Sequence, residues 1–173
     1  MTRKRVPPLG ESCDVVIAVD PGQEPAYAVA HRVGTSAFSL DLVAQTDMNQ
    51  VFGVLARYSR APRRGLVVED QFIGQQNHLV GLIRNAQTWV AYAELLQYAP
   101  VVRLYPNSWI ARAIGGHCTR MARKARKAAA RAHCEALGLD VSRLSHDQCD
   151  AVCILQAVLG ARLICAHAKL ARH

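Results

Sequence analysis

Val15-Val16-Ile17-Ala18-Val19-Asp20-Pro21-Gly22 is the stretch on which the fold reading turns. Five apolar residues rich in β-branched side chains predict a strand buried on both faces. An aspartate closes the run, and Pro-Gly behind it favours a turn. Working outward, Ala26 to Arg32 and Ala37 to Val43 read as two more strands, joined through Gly34-Thr35-Ser36. Asp47 suits a helix cap ahead of Val51, Val54, Leu55 and Tyr58. Leu66-Val67-Val68 is a second buried run, and it too ends in acids, Glu69-Asp70. A long helix is expected over 77–98, a fifth strand over Val101 to Tyr105, and a short helix at Trp109. Beyond it, a basic helix is expected over 119–137, closed by Gly138. A last helix is expected over 146–170, opened by a Ser145/Gln148 capping box.

Three strands, a helix, a strand, a helix, a strand and then helices form an α/β pattern. The first three strands suit an antiparallel meander, and the later ones, reached through helices, should run parallel. The expectation is a mixed five-stranded sheet flanked by helices, in the order of the ribonuclease H fold. The acids at its strand ends stand where such a sheet holds a site.

Composition sets the outer limits. The chain has 173 residues, 51% of them hydrophobic and 20% charged. That is enough for one packed domain, read as 13–173 behind a basic tail at 1–12, and it argues against disorder. No apolar stretch has transmembrane length, and Glu11 and Asp14 interrupt any signal-peptide core. The six cysteines form no CxxC pair. Cys149 and Cys153, a helical turn apart with His146 before them, read as buried free thiols in preference to a structural metal site. A reduced, intracellular setting is expected, a bacterial or phage-infected cytoplasm. A formal net charge of +8 favours a polyanionic partner.

Among only 13 acids, Asp20, Glu69, Asp147 and Asp150 hold the telling places. Two end buried strands, and two lie three residues apart at the start of the last helix, on one face. Singly, each has a plain reading as turn former or helix-dipole partner. Converging, they would repel one another unless a divalent cation neutralised them. Hard oxygen ligands suit Mg²⁺, with Mn²⁺ able to substitute. Two ions would serve in-line phosphodiester hydrolysis.

These motifs resemble the RuvC family of Holliday-junction resolvases, the divergent phage-type members more than the standard bacterial enzyme. The resemblance covers about residues 14–160. It rests on Val16–Gly22, on Val67-Val68-Glu69-Asp70-Gln71-Phe72 and on His146-Asp147-Gln148-Cys149-Asp150-Ala151. It implies that Asp20, Glu69, Asp147 and Asp150 are the catalytic, metal-binding acids and that Phe72 contacts DNA beside them. It also implies a homodimer acting on a four-way junction in DNA recombination and repair. Ala26-Tyr27-Ala28 stands where the family has glycines flanking an aromatic residue. Asp70 has no counterpart, and strand alternation sends it to the opposite face.

From Arg103 to Arg131 there are eight basic residues and no acid. On a continuous helix, Arg120, Arg123, Lys124, Lys127 and Arg131 would form one stripe for DNA phosphates. Gly115-Gly116 upstream would let that segment order on DNA. Nothing in it reads bases, so recognition by shape and backbone is expected. In the helix at 77–98, Leu82, Ile83, Trp89, Val90 and Tyr92 spread over more than one face. One face would pack on the sheet and another on a second copy. The reading is a metal-dependent, structure-specific endonuclease for branched DNA, Holliday junctions first. Flap or fork cleavage and an inactive junction-binding scaffold are the alternatives, and a helicase partner is not legible.

Overall fold

Side chains alternate along β1 (Val15–Asp20), and that alternation divides the molecule into two layers. The structure is a computed structural model and describes residues 8–22, 24–70 and 79–171. β1 lies at the centre of the sheet. It pairs antiparallel with β2 (Ala26–Arg32) and parallel with β4 (Arg64–Glu69). β3 (Ala37–Gln45) runs antiparallel beside β2, and β5 (Val101–Leu104) runs parallel beside β4. The expected meander with helical crossovers is thus observed.

Val15, Ile17 and Val19 face one core, shared with Tyr27, Leu66 and Val68. That core is covered by α1 (Val51–Tyr58) and α2 (Leu79–Leu95), through Leu55, Trp89 and Ala93. Val16 and Ala18 face the other, with Ala26, Ala28, Ala30 and Val67. Its cover is α3 (Pro106–Ala113), α4 (Arg123–Ala136) and α5 (His146–Leu159). α5 is buried on nearly every side, from Gln148 to Leu155 without a break. The three alanines of β2 explain how it fits, since small side chains let a fully enclosed helix lie close on the sheet.

The sheet has seven strands among the described residues, not five. β6 (Arg162–Ile164) and β7 (Lys169–Ala171) both add to the outer edge of β3 in parallel. The helix expected over 146–170 therefore ends at Leu159, where Gly160 takes a left-handed φ of 60° and caps it. The segment beyond satisfies the backbone groups that β3 would otherwise leave open. Strands of three residues carry too little pattern to be read locally.

Two helix starts also differ. Asp47 accepts from the backbone N–H of Asn49 at 2.7 Å and of Gln50 at 3.1 Å, forming a turn ahead of α1 without capping it. The basic helix begins at Arg123, because Gly116–Arg120 forms a 3₁₀ turn and Ala122 is extended (ψ 151°). Arg120 is therefore outside the helical register that was to place it in the stripe.

Residues 1–7 of the expected tail lie outside the described residues. Leu9–Glu11 forms a 3₁₀ turn, and Leu9 is 1% exposed within the α5-side core. The Arg32 guanidinium fastens this turn by donating to the Gly10 carbonyl and, at 2.8 Å, to that of Cys13. An apolar side chain with a core position to fill overrides the polar, proline-containing context that read as a tail. All six cysteines are free and buried. No helix among the described residues is long and apolar enough to cross a membrane.

Leu9→Ala is expected to lower stability by about 2–5 kcal/mol, the usual cost of emptying a buried leucine site. Urea unfolding monitored by circular dichroism measures it. An unchanged midpoint would return Leu9 to a loosely attached tail.

Candidate metal centre

The strand parity that builds the cores also aims the acids. Asp20 follows Val16 and Ala18 onto the α5 side of β1, and Glu69 follows Val67 onto the same side of β4. β1 and β4 are parallel neighbours, so their C-terminal ends coincide. α5 starts over this edge. Its first turn is fixed by the capping box: the Ser145 hydroxyl oxygen accepts from the Gln148 N–H at 3.2 Å, and the Gln148 side chain accepts from the Ser145 N–H at 2.8 Å. The Gln148 amide also donates to the Ala171 carbonyl at 2.8 Å, tying β7 to the same helix end.

Asp20, Asp147 and Asp150 thereby converge, with one carboxylate oxygen from each lying within 4.8 Å of the others. The turn after Asp20 closes onto them. A Cβ on Gly22 would stand 3.1 Å from Asp147 Oδ2 and 3.8 Å from Asp20 Oδ1, so glycine is what permits this approach. From α2, the Asn85 amide donates to the Gly22 carbonyl at 2.9 Å and lies 3.3 Å from that of Pro21. Glu69 is 7% exposed, and its Oε2 accepts from the Trp109 indole N–H at 3.0 Å.

Burial first, and then the charges of Glu69, Asp147 and Asp150, push the Asp20 carboxyl well above the usual carboxylate range. Asp150 rises to about 6, mainly through burial and against the pull of the Lys127 ammonium. Lys127 Nζ lies 2.8 Å from Asp147 Oδ1 and 3.8 Å from Asp150 Oδ2. Burial would lower the lysine, but the hydrogen bond to Asp147 and the nearby acids hold it raised. One ammonium thus offsets only part of the charge of the cluster. Three oxygens this close, a fourth carboxylate beside them and an all-oxygen donor set fit a small hard cation such as Mg²⁺ or Mn²⁺. Asp20, Asp147 and Asp150 would hold it, with Glu69 at the edge.

The basic residues divide. Arg120, Arg123 and Lys124 are exposed at or just before the start of α4. Arg123 and Arg126 lie near enough to act on Asp150. Lys127 is turned into the acids, and Arg131 donates to the Leu144 carbonyl at 3.4 Å. The inner turns of α4 therefore also serve the fold and the acid cluster. Asp70 faces Arg103 Nη1 at 3.6 Å, which accounts for both the extra acid and one of the basic residues. Phe72 lies outside the described residues.

Sequence reading did not single out Trp109 or Asn85, and it gave Lys127 a different partner. No local signal marks the first two, whose contacts span 40 and 63 residues of chain. The 20-residue spacing of Lys127 and Asp147 is equally opaque without the packing of α4 on α5.

No protein-family model and no curated protein sequence matches the chain. Solved structures do. Thermus thermophilus RuvC superimposes with a TM-score of 0.58 at 22% identity, covering 83% of this chain and 92% of that one. The same protein in complex with a Holliday junction substrate gives 0.58 at 21%, covering 83% and 91%. The yeast mitochondrial Holliday junction resolvase Ydc2 gives 0.51 at 12%, covering 91% and 82%. The chain has the RuvC-type, ribonuclease H-like α/β fold.

A carboxyl whose folded pKa is raised stabilises the fold below its unfolded value and loses that contribution as pH rises through the folded value. For Asp150 this window runs from about 4 to beyond about 6. Without added metal, Asp150→Asn should match the wild type near pH 4 and exceed it in stability at pH 7.5, by on the order of 1–3 kcal/mol. Thermal unfolding across pH measures the difference. A variant less stable than wild type at pH 7.5 would contradict the assigned cost of burying a charged carboxylate there.

Proposed function

We propose that this chain is a divalent-metal-dependent endonuclease that cuts branched DNA, four-way junctions in particular, by paired nicks from two copies. The observation that carries the reading is the convergence of Asp20, Asp147 and Asp150, with Glu69 alongside, beneath an exposed cationic helix start. The likeness in fold to resolvases, one of them solved with a Holliday junction substrate, supports it.

Arg120, Arg123 and Lys124 bind the phosphates flanking the cut and hold the strand over the acids. Asp20, Glu69, Asp147 and Asp150 would hold Mg²⁺ or Mn²⁺, one ion or a pair. Bound there, the metal would supply an activated water and stabilise the leaving oxyanion. Lys127 gives Asp147 and Asp150 a counter-charge before metal enters, and its ammonium then stands ready for the phosphate being cut. Phe72, close in sequence to Glu69, supplies an aromatic contact to the DNA. A second copy packs on the outer face of α2, where Val80 is 55% and Leu95 69% exposed, so that two sites act on a near-twofold junction. Six buried free thiols suit a reducing cytoplasm, where recombination and repair enzymes act.

Two experiments test this. On an end-labelled four-way junction beside duplex, flap and fork controls, wild-type protein should make symmetric nicks only with Mg²⁺ or Mn²⁺. Asp20→Asn and Asp147→Asn should each lose cleavage by at least about 10³-fold while still binding the junction. Equal cutting of flaps and forks would widen the substrate class, and tight binding without nicks would favour a scaffold.

In the second, Arg120→Ala, Arg123→Ala and Lys124→Ala combined should reduce the dependence of log binding constant on log salt by about two to three. Fluorescence anisotropy at several salt concentrations reads this directly. An unaltered slope would move the DNA path away from α4.

A further inference from the structure

The acids of the candidate centre are steadied in unlike ways. Asp147 and Asp150 are approached by a cation, Lys127, which any incoming metal must outcompete for their oxygens. Glu69 is met by a neutral donor, the Trp109 indole N–H, at 3.0 Å from Oε2. Both members of this contact are buried, Trp109 to 4% and Glu69 to 7% exposure. A neutral N–H stabilises and orients a carboxylate without adding positive charge that would repel a metal ion.

Glu69 needs this more than the other acids do. It is the longest of the four side chains, with three rotatable bonds, and it stands at a strand end beside Asp20, whose like charge repels it. A contact that fixes one of its oxygens lowers the ordering cost that metal binding would otherwise carry. Trp109 is well placed to provide that. Pro106 sits in the first turn of α3, and Trp109 and Ile110 are the buried pair by which this short helix packs against α5. The indole is therefore held by the core and not by the site. No acid comes from α3, and nothing else yet gives that helix a part in the chemistry.

We infer that Trp109 is a positioning residue that presents the Glu69 carboxylate to the metal, and so sets the affinity of the centre through a side chain that never touches the ion. The inference rests on the metal-centre reading above. Its test uses the full-length protein and Mn²⁺ or Mg²⁺ alone, with no DNA and no turnover. By isothermal titration calorimetry, Trp109→Phe, which keeps an aromatic ring but removes the donor, should weaken Mn²⁺ binding about 10- to 100-fold. Its thermal midpoint in the absence of metal serves as the control for folding. In the wild type, the Trp109 indole N–H resonance should lie downfield, exchange slowly with solvent, and shift during a Mg²⁺ titration with the midpoint of metal binding. The Trp89 indole, buried in the opposite core, should not follow it.

The NMR arm needs no variant, so a Trp109→Phe protein that failed to fold would leave the question decidable. Unchanged Mn²⁺ affinity in a folded Trp109→Phe, or a Trp109 indole resonance indifferent to Mg²⁺, overturns the positioning role and leaves the metal centre standing. A wild-type protein that binds neither ion overturns the centre itself.

Discussion

Like-charged carboxylates brought together at a half-buried sheet edge are the constraint around which the rest of the molecule is arranged. Such a cluster is costly: burial and mutual repulsion both raise Asp20, and burial raises Asp150 to about 6. The structure accepts the cost because three elements meet there for other reasons. β1 and β4 pair in parallel through apolar residues, and α5 is drawn onto β1 and β2 by its buried thiols and aliphatic side chains. Packing of the apolar surface supplies the stability, and the acids ride on the ends of the elements it fixes.

That arrangement also explains why the basic residues are spread as they are. Lys127 partly neutralises the cluster from inside, whereas Arg120, Arg123 and Lys124 remain at the surface beside it. The two sets of cations thus differ in what they do: Lys127 offsets charge within the acid cluster, and the exposed group leaves positive charge on the surface next to it.

Much of this was legible in the chain because it depends on short-range rules. A β-branched run ending in Asp-Pro-Gly states a buried strand and its turn, and Ser145 with Gln148 states a helix start, as found. Parity then fixed that Asp20 and Glu69 leave the sheet on the same side as the residues two positions earlier. Where reading by local rules missed, the deciding contacts were distant. The stretch after Gly160 became strands because β3 had an open edge, not because of its own pattern. Leu9 entered the core because a site for it existed between elements far along the chain. The basic helix lost its first turn to the extended backbone at Ala122.

By itself, the sequence determined the order of elements from β1 to the start of α5, the ends of the central strands and which acids stand at them, since these follow from apolar periodicity, turn chemistry and capping over a few residues. Only the tertiary structure decided what each polar group meets. It gave Trp109 to Glu69, Asn85 to the turn behind Asp20, Lys127 to Asp147 and Arg103 to Asp70. A hydrogen bond or ion pair is made within about 3–4 Å, and only the packing of helices on a sheet brings residues from separate elements that close.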